Sequence, residues 1–212
     1  DGDGLEDLVT VLATDSISVA FGRPSGTFSA TNVTPLAARG VQRLTLADVN
    51  ADGALDAVVC YGFSNAGSVG ILLGTGTGTF LPEVTLPTGW SAGDFSLADL
   101  DGDGDLDLAV ALLGSPEVDV FEGVGDGSFL PYVSLPQTHL PGELVAADFD
   151  GDGHRDLVVA NDDAGSTELA LLLGNGSMGF ALPLPLELGA SPEALRAADL
   201  TGDGLADLVA TT

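Results

Sequence analysis

The feature that most constrains this chain is an internal repeat of about 50 residues. A short acidic phrase returns along the sequence, as in ADLDGDGDLDLAV from Ala98 and ADFDGDGHRDLVV from Ala147. Four copies have their first aspartate at Asp48, Asp99, Asp148 and Asp199, and a shortened copy opens the chain at Asp1. A glycine-rich tract, such as LLGTGTGTF or LLGNGSMGF, follows each of the first four copies. Repeats of this length predict a fold built from similar structural units packed side by side.

The remainder of each unit has the pattern of short β-strands. DLVVAN and TELALLLG are apolar runs rich in strand-forming residues, and LPYVSLP alternates between prolines. GELVAADF then leads into the next acidic phrase, and no stretch combines helical periodicity with capping signals. We therefore expect an all-β fold, a β-propeller of four-stranded antiparallel blades with about 50 residues per blade. Residues 1–212 would form a single propeller region of about four blade repeats.

Charge and hydropathy exclude several classes of partner. The sequence has 32 acidic and 5 basic residues, which gives a net charge of −27. Nucleic acids and anionic membrane surfaces would be repelled by this charge. Apolar runs are much shorter than the roughly 20 residues that cross a bilayer, so no membrane insertion is expected. Cys60 is the single cysteine, which excludes an internal disulfide, and its apolar neighbours predict a buried core position.

The acidic phrase has the spacing of a calcium loop. Its template is Asp-x-Asp/Asn-x-Asp-Gly-x-x-Asp, with side-chain oxygen ligands at positions 1, 3, 5 and 9 and a backbone carbonyl at position 7. Hard oxygen ligands around a sharp glycine turn suit Ca²⁺. An EF-hand would need a glutamate at position 12, where Val110 stands, and flanking helices. The sequence therefore predicts Ca²⁺ on a β scaffold. Its ligands in the third copy would be Asp99, Asp101, Asp103, the Asp105 carbonyl and Asp107.

The pairing of ADLDGDGDLDLAV with LLGNGSMGF resembles the FG-GAP, or VCBS-type, repeat of integrin α-subunit propellers, propeller lectins and many secreted bacterial proteins. This resemblance covers essentially the whole chain. It implies a calcium loop between the first and second strands of each blade, and an arc cut from a larger, seven-bladed propeller. The implied ligands in the other loops are Asp1, Asp3, the Leu5 carbonyl and Asp7; Asp48, Asn50, Asp52, the Ala54 carbonyl and Asp56; Asp148, Asp150, Asp152, the His154 carbonyl and Asp156; and Asp199, Asp203, the Leu205 carbonyl and Asp207. Thr201 replaces an acid at position 3 of the last loop, which is therefore expected to be the weakest complete site.

Two motifs that look catalytic lack the context that catalysis requires. GWSAG, at 89–93, matches a nucleophile elbow, but no helix follows it. GNGSMG, at 174–179, matches a dinucleotide-binding turn, but the prolines of FALPLPLEL exclude the helix that such a site needs. The two histidines, His139 and His154, have no second histidine or cysteine nearby to complete a zinc site. We therefore expect no enzymatic activity.

The loops at the end of the blades away from the calcium loops are the candidate ligand surface. Two strands separate the calcium loop from the glycine-rich hairpin, so both lie at one end, and the remaining loops share the other end. An aromatic ring with neighbouring amide and carboxylate groups suits a sugar or an extended protein segment. For Trp90, a space-filling role between blades is an open alternative. The candidate residues are Tyr61, Asn65, Trp90, His139, Asn161 and Asp162.

Together these features predict a calcium-stabilised propeller, extracellular or at the cell surface, that binds a glycan or protein ligand. Two alternatives stay open. The chain could be a structural subunit of a surface layer or filament, in which case it would self-associate. It could also be a non-catalytic propeller domain of a larger secreted enzyme.

Overall fold

Residues 1–13, 16–62, 67–163, 166–192 and 194–211 are described by the structure, a computed structural model. In these residues the chain forms strands and turns, and none of its segments is a helix that could cross a membrane. The strands in chain order are β1 (Leu8–Leu12), β2 (Ser16–Gly22), β3 (Phe28–Pro35), β4 (Val41–Ala47), β5 (Asp56–Tyr61), β6 (Ser68–Leu72), β7 (Val84–Pro87), β8 (Ser91–Ala98), β9 (Asp107–Leu113), β10 (Glu117–Phe121), β11 (Val133–Pro136), β12 (Pro141–Ala147), β13 (Asp156–Asn161), β14 (Glu168–Leu172), β15 (Leu184–Glu187), β16 (Ala194–Ala198) and β17 (Asp207–Thr211).

Strands that follow one another in the chain pair into antiparallel sheets, which we number as blades 1 to 5. Blade 1 is β1–β3, blade 2 is β4–β7, blade 3 is β8–β11, blade 4 is β12–β15 and blade 5 is β16–β17. The first strands β4, β8, β12 and β16 contact one another from blade to blade, so they form the inner side of the arrangement. The predicted all-β propeller with four-stranded antiparallel blades is confirmed.

The core lies between adjacent blades and explains the unbroken apolar runs. Successive side chains of a strand point to opposite faces of its sheet. In β9, Leu108, Val110 and Leu112 pack towards blade 2. Ala109 and Ala111 of the same strand pack towards blade 4. The second strand of a blade is covered by neighbouring blades on both faces, so it is apolar at successive positions. Large residues on one face of β9 and alanines on the other let the neighbouring sheets pack closely.

Acidic side chains tie the inner strands of successive blades together. A β-bulge in β8 precedes Asp94, whose carboxylate accepts hydrogen bonds from Arg43 Nη1 of blade 2 at 2.5 Å and from the Leu144 amide of blade 4 at 3.1 Å. The corresponding residue of blade 4, Glu143, accepts a hydrogen bond from the Leu195 amide of blade 5 at 2.8 Å. Because each bond crosses from one sheet to the next, these carboxylates fix the spacing of the inner strands.

Cys60 lies in the core between blades 2 and 3, as the sequence predicts. Burial raises the pKa of its thiol to about 12. The thiol therefore stays protonated at neutral pH, where a reactive cysteine would need to be a thiolate.

Candidate functional site

The acidic loops join the first and second strands of blades 2 to 5, as the resemblance implies. Between β8 and β9, the Asp99 carboxylate accepts hydrogen bonds from the amides of Gly102 (2.7 Å) and Gly104 (3.1 Å). Both glycines have positive φ, a conformation that costs glycine little, and this turns the loop back on its first residue. The equivalent amide bonds lower the pKa of Asp199 in the last loop. In all five loops the position-7 amide donates to the position-5 carboxylate over 2.8 to 2.9 Å; the donors are Leu5, Ala54, Asp105, His154 and Leu205.

Carboxylates are gathered most tightly in the loops of blades 3 and 4. In each, three aspartates offer oxygen atoms that all lie within 4.8 Å of one another. Anionic oxygens this close repel each other, and a hard divalent cation with several oxygen ligands would offset that repulsion. The donor sets therefore fit Ca²⁺. They are Asp99, Asp101 and Asp103 in blade 3, and Asp148, Asp150 and Asp156 in blade 4.

In blades 2, 3 and 4 the aspartate at position 9 is buried and joins its loop to the glycine-rich hairpin. In blade 3, one oxygen of Asp107 accepts a hydrogen bond from the Leu100 amide (2.7 Å) and the other from the Gly123 amide (2.8 Å). Burial raises the pKa of Asp107, although both amide bonds act in the opposite direction. Asp56 and Asp156 make the same two bonds and have pKa values raised for the same reason; their donors are Val49 and Gly74, and Phe149 and Gly174.

The hairpin glycine that receives this bond packs against the backbone of the acidic loop. A Cβ on Gly123 would lie 2.2 Å from the Leu106 carbonyl oxygen, and a Cβ on Gly74 would lie 2.1 Å from that of Leu55. No side chain fits at these distances. The position-9 aspartate and the hairpin glycine therefore form one structural unit, which sequence reasoning missed by treating the aspartate only as a metal ligand. The signal was present, because the two landmarks recur in phase.

Tyr61 is a correction to the predicted ligand surface. Its side chain is fully buried between blades 1 and 2, and its hydroxyl donates to Glu83 Oε1 at 2.8 Å. Burial and the neighbouring Glu83 carboxylate raise the pKa of this hydroxyl. The residue ends β5 but still pairs with Val41, so it stays inside the sheet instead of entering the turn. Asn65 lies outside the described residues.

Trp90 is exposed and His139 is half-buried, and the two residues have different surroundings. Trp90 immediately precedes β8 and is 49% exposed, and its backbone carbonyl accepts a hydrogen bond from Thr88 Oγ1 at 2.6 Å. His139 lies between β11 and β12, where its Nδ1 is 2.7 Å from Asp163 Oδ2. Neither residue lines the cavity that contains Asn161 and Asp162.

Asn161 and Asp162 line a cavity of about 450 Å³ at the end of the blades opposite the acidic loops. The cavity lies where inner strands begin and second strands end, whereas the acidic loops follow the other ends of the inner strands. The structure thus unites two of the six predicted residues and adds others that the sequence did not indicate. Those additions include Gln42, Gly93, Leu113, Gly142, Glu143 and Pro192.

Comparison with known families places this architecture in a defined class. The FG-GAP-like repeat matches residues 1–59, 48–110, 110–159 and 148–210, which together span almost the whole chain. The chain belongs to the family of FG-GAP-like repeat proteins. No curated protein sequence matches it.

Solved structures similar to this chain include a lectin. A lectin from Agrocybe aegerita, described for its specific recognition of non-reducing terminal N-acetylglucosamine, aligns with a TM-score of 0.68 at 23% identity. The alignment covers 99% of this chain and 58% of the lectin chain, so the present chain spans somewhat more than half the length of that relative. BBS1N, solved in complex with ARL6DN, aligns with a TM-score of 0.49 at 15% identity, over 96% of this chain and 71% of the other. At 23% identity, the similarity to the lectin shows a shared fold.

Proposed function

We propose that this chain is a calcium-stabilised propeller module that binds glycans, extracellularly or at the cell surface, without catalytic activity. The observation that carries this proposal is that the acidic loops and the ligand cavity lie at opposite ends of the blades. One end holds the acidic loops with their clustered carboxylates. The other end holds a cavity lined by polar side chains. A rigid scaffold with a ligand cavity at one end is the usual arrangement of a binding module.

Calcium is the cofactor that the acidic loops fit. The oxygen atoms at positions 1, 3, 5, 7 and 9 of the five loops, named above, would hold the ions. Bound Ca²⁺ supplies positive charge, and five ions would bring the net charge from −27 to about −17. Extracellular calcium modules bind with dissociation constants of roughly 10⁻⁴ to 10⁻³ M, a range that matches calcium levels outside cells. Loops of this affinity class would be filled outside cells, which favours the proposed extracellular location.

A glycan is the ligand class that the cavity and the family likeness favour together. The Agrocybe aegerita lectin carries a propeller of similar fold and is described as recognising a terminal sugar. The cavity of the present chain is bordered by amide and carboxylate side chains, which pair well with hydroxyl groups. A strongly negative surface disfavours acidic glycans and leaves neutral ones as the expected ligands.

A glycan array probed with labelled protein tests this function. We expect binding to a restricted set of neutral glycans in millimolar calcium, and loss of binding in excess chelator. Bound glycans recovered and analysed by mass spectrometry should be unchanged, because no catalytic residues are proposed. Failure to bind any arrayed glycan in calcium would contradict glycan recognition, and cleavage of a recovered glycan would contradict the absence of catalysis.

A further inference from the structure

We infer that the cavity lined by Asn161, Asp162 and Glu143 is the sugar site, and that it takes a neutral, hydroxyl-rich ring. This inference rests on the proposed function and assigns it to one place in the fold. The cavity lies at the inner strands, with walls from blades 2, 3, 4 and the segment before β16.

Asn161 provides the observation that points to a ligand. The residue is only 4% exposed, and its Nδ2 has no hydrogen-bond partner among the described residues. A buried amide without an acceptor is rare, because desolvation of the donor is not compensated. The equivalent positions of blades 2 and 3 hold Tyr61 and Leu112, both fully buried. An asparagine at a position that neighbouring blades fill with bulky side chains is explained by a ligand that supplies the missing acceptor.

The carboxylates of the cavity can accept hydrogen bonds from the same ligand. Glu143 accepts the Leu195 amide at 2.8 Å, and a carboxylate has further lone pairs to offer. Asp162, beside Asn161, is exposed. Arg196 Nη1 on the inner strand β16 lies 3.8 Å from Glu143 Oε2, and Arg43 is paired with Asp94. The cavity wall therefore combines the Asn161 donor, which lacks a partner among the described residues, with two carboxylates, of which Glu143 is partly neutralised by Arg196.

A hydroxyl group meets both requirements, because it donates and accepts at once. An inorganic cation would pair with the carboxylates but would leave the Asn161 donor without an acceptor. An anionic ligand would be repelled by the exposed Asp162 carboxylate and by the strongly negative net charge of the chain. The hydroxyls of a neutral sugar can accept from Asn161 Nδ2 and donate to the Asp162 carboxylate.

The size and lining of the cavity also suit a sugar ring. A volume of about 450 Å³ lies within the usual range for small-ligand sites. A Cβ on Gly93 would lie 2.6 Å from a methyl carbon of Leu113, so this glycine lets the Leu113 side chain pack into the cavity wall. Leu113 and Pro192 supply apolar surface against which the C–H face of a ring can pack.

Titration calorimetry in millimolar calcium tests the assignment. The probes are N-acetylglucosamine, mannose and galactose as neutral sugars, with N-acetylneuraminic acid as the acidic counterpart. We expect at least one neutral sugar to bind and the acidic sugar not to bind. Asn161→Ala and Asp162→Asn should each lower the affinity at least tenfold. Asp126→Asn, an exposed aspartate on the hairpin at the calcium end, is the matched control and should leave the affinity unchanged.

A second variant checks the unpaired amide independently of binding. Asn161→Leu removes a buried donor that lacks an acceptor in the free protein, so it should raise the melting temperature while abolishing sugar binding. If Asn161→Leu instead lowers the melting temperature, the amide is satisfied without a ligand and the inference is overturned.

The outcomes separate this inference from the function on which it rests. A neutral sugar that binds Asn161→Ala and Asp162→Asn as tightly as the wild type would overturn the cavity assignment and leave glycan binding intact. Loss of affinity in Trp90→Ala alone would move the site to the exposed residue that precedes β8. Absence of binding by the wild type to all four sugars and to arrayed glycans would overturn the proposed function itself.

Discussion

Replacing Asp94 with alanine should weaken the contacts between the inner strands of blades 2, 3 and 4. The carboxylate is buried and accepts hydrogen bonds from Arg43 Nη1 at 2.5 Å and from the Leu144 amide at 3.1 Å. These donors lie on β4 and β12, so a single side chain on β8 joins blades 2, 3 and 4. Alanine would leave the Leu144 amide without an acceptor and the Arg43 guanidinium without its counterion.

The expected loss follows from these two bonds. Hydrogen bonds to a charged group contribute about 1.5 to 3 kcal/mol each. The Arg43 side chain is 31% exposed, so water screens its bond and the lower end of that range applies. Asp94→Ala should therefore lower the free energy of unfolding by about 3 kcal/mol. In a chain of this size that corresponds to a fall of about 6 to 12 °C in melting temperature.

Urea denaturation in millimolar calcium, followed by Trp90 fluorescence and circular dichroism, measures this loss. Asp94→Asn keeps the volume and one acceptor, so its loss should be intermediate. Arg43→Met combined with Asp94→Ala completes a double-mutant cycle, in which we expect a coupling of about 1 kcal/mol or more. Asp126→Ala, on an exposed hairpin, is the control. A loss for Asp94→Ala no larger than that of the control would refute the inter-blade role.

Three further outcomes follow from single positions. Gly123→Ala should severely lower the melting temperature, because its Cβ would lie 2.2 Å from the Leu106 carbonyl oxygen. Gly89→Ala is the control and should leave the melting temperature nearly unchanged, because its Cβ would meet only the Tyr132 hydroxyl at 3.6 Å. Burial raises the pKa of Asp119, so its contribution to stability is present below about pH 4 and is lost as pH rises through the raised value. As pH rises from 4 to 7, the free energy of unfolding of Asp119→Asn should therefore increase relative to that of the wild type. A difference between the two proteins that does not change with pH in urea denaturation would contradict this. The Cys60 thiol, with a pKa of about 12, should react with a thiol reagent only after unfolding. Rapid labelling of the native protein would contradict the burial of Cys60 between blades 2 and 3.

The strands and their order were predictable because local pattern determines them. Second strands such as β9 are covered on both faces, and this leaves a continuous apolar run in the sequence. Outer strands such as β11 alternate between prolines and lie exposed. The acidic loops could be placed because position-specific oxygens and glycines recur in every repeat.

Contacts between blades were not predictable from local pattern. Asp94 meets Arg43 and Leu144 across about 50 residues in each direction, and their meeting depends on the bulge in β8 and the stacking of the blades. Tyr61 was misplaced because its position beside a glycine turn suggested exposure, whereas its pairing with Val41 keeps it in the core. Both cases depend on how sheets pack against each other, which a period of 50 residues does not encode.

Melting temperature in millimolar Ca²⁺ and in excess chelator tests most directly whether calcium is part of the fold. A site occupied at a hundred times its dissociation constant adds about 2.7 kcal/mol, and several sites together approach the whole stability margin of a typical domain. We predict a melting temperature at least about 10 °C higher in calcium, since a single such site accounts for about 5 to 10 °C. Melting curves that coincide in calcium and in chelator would contradict a calcium-stabilised propeller.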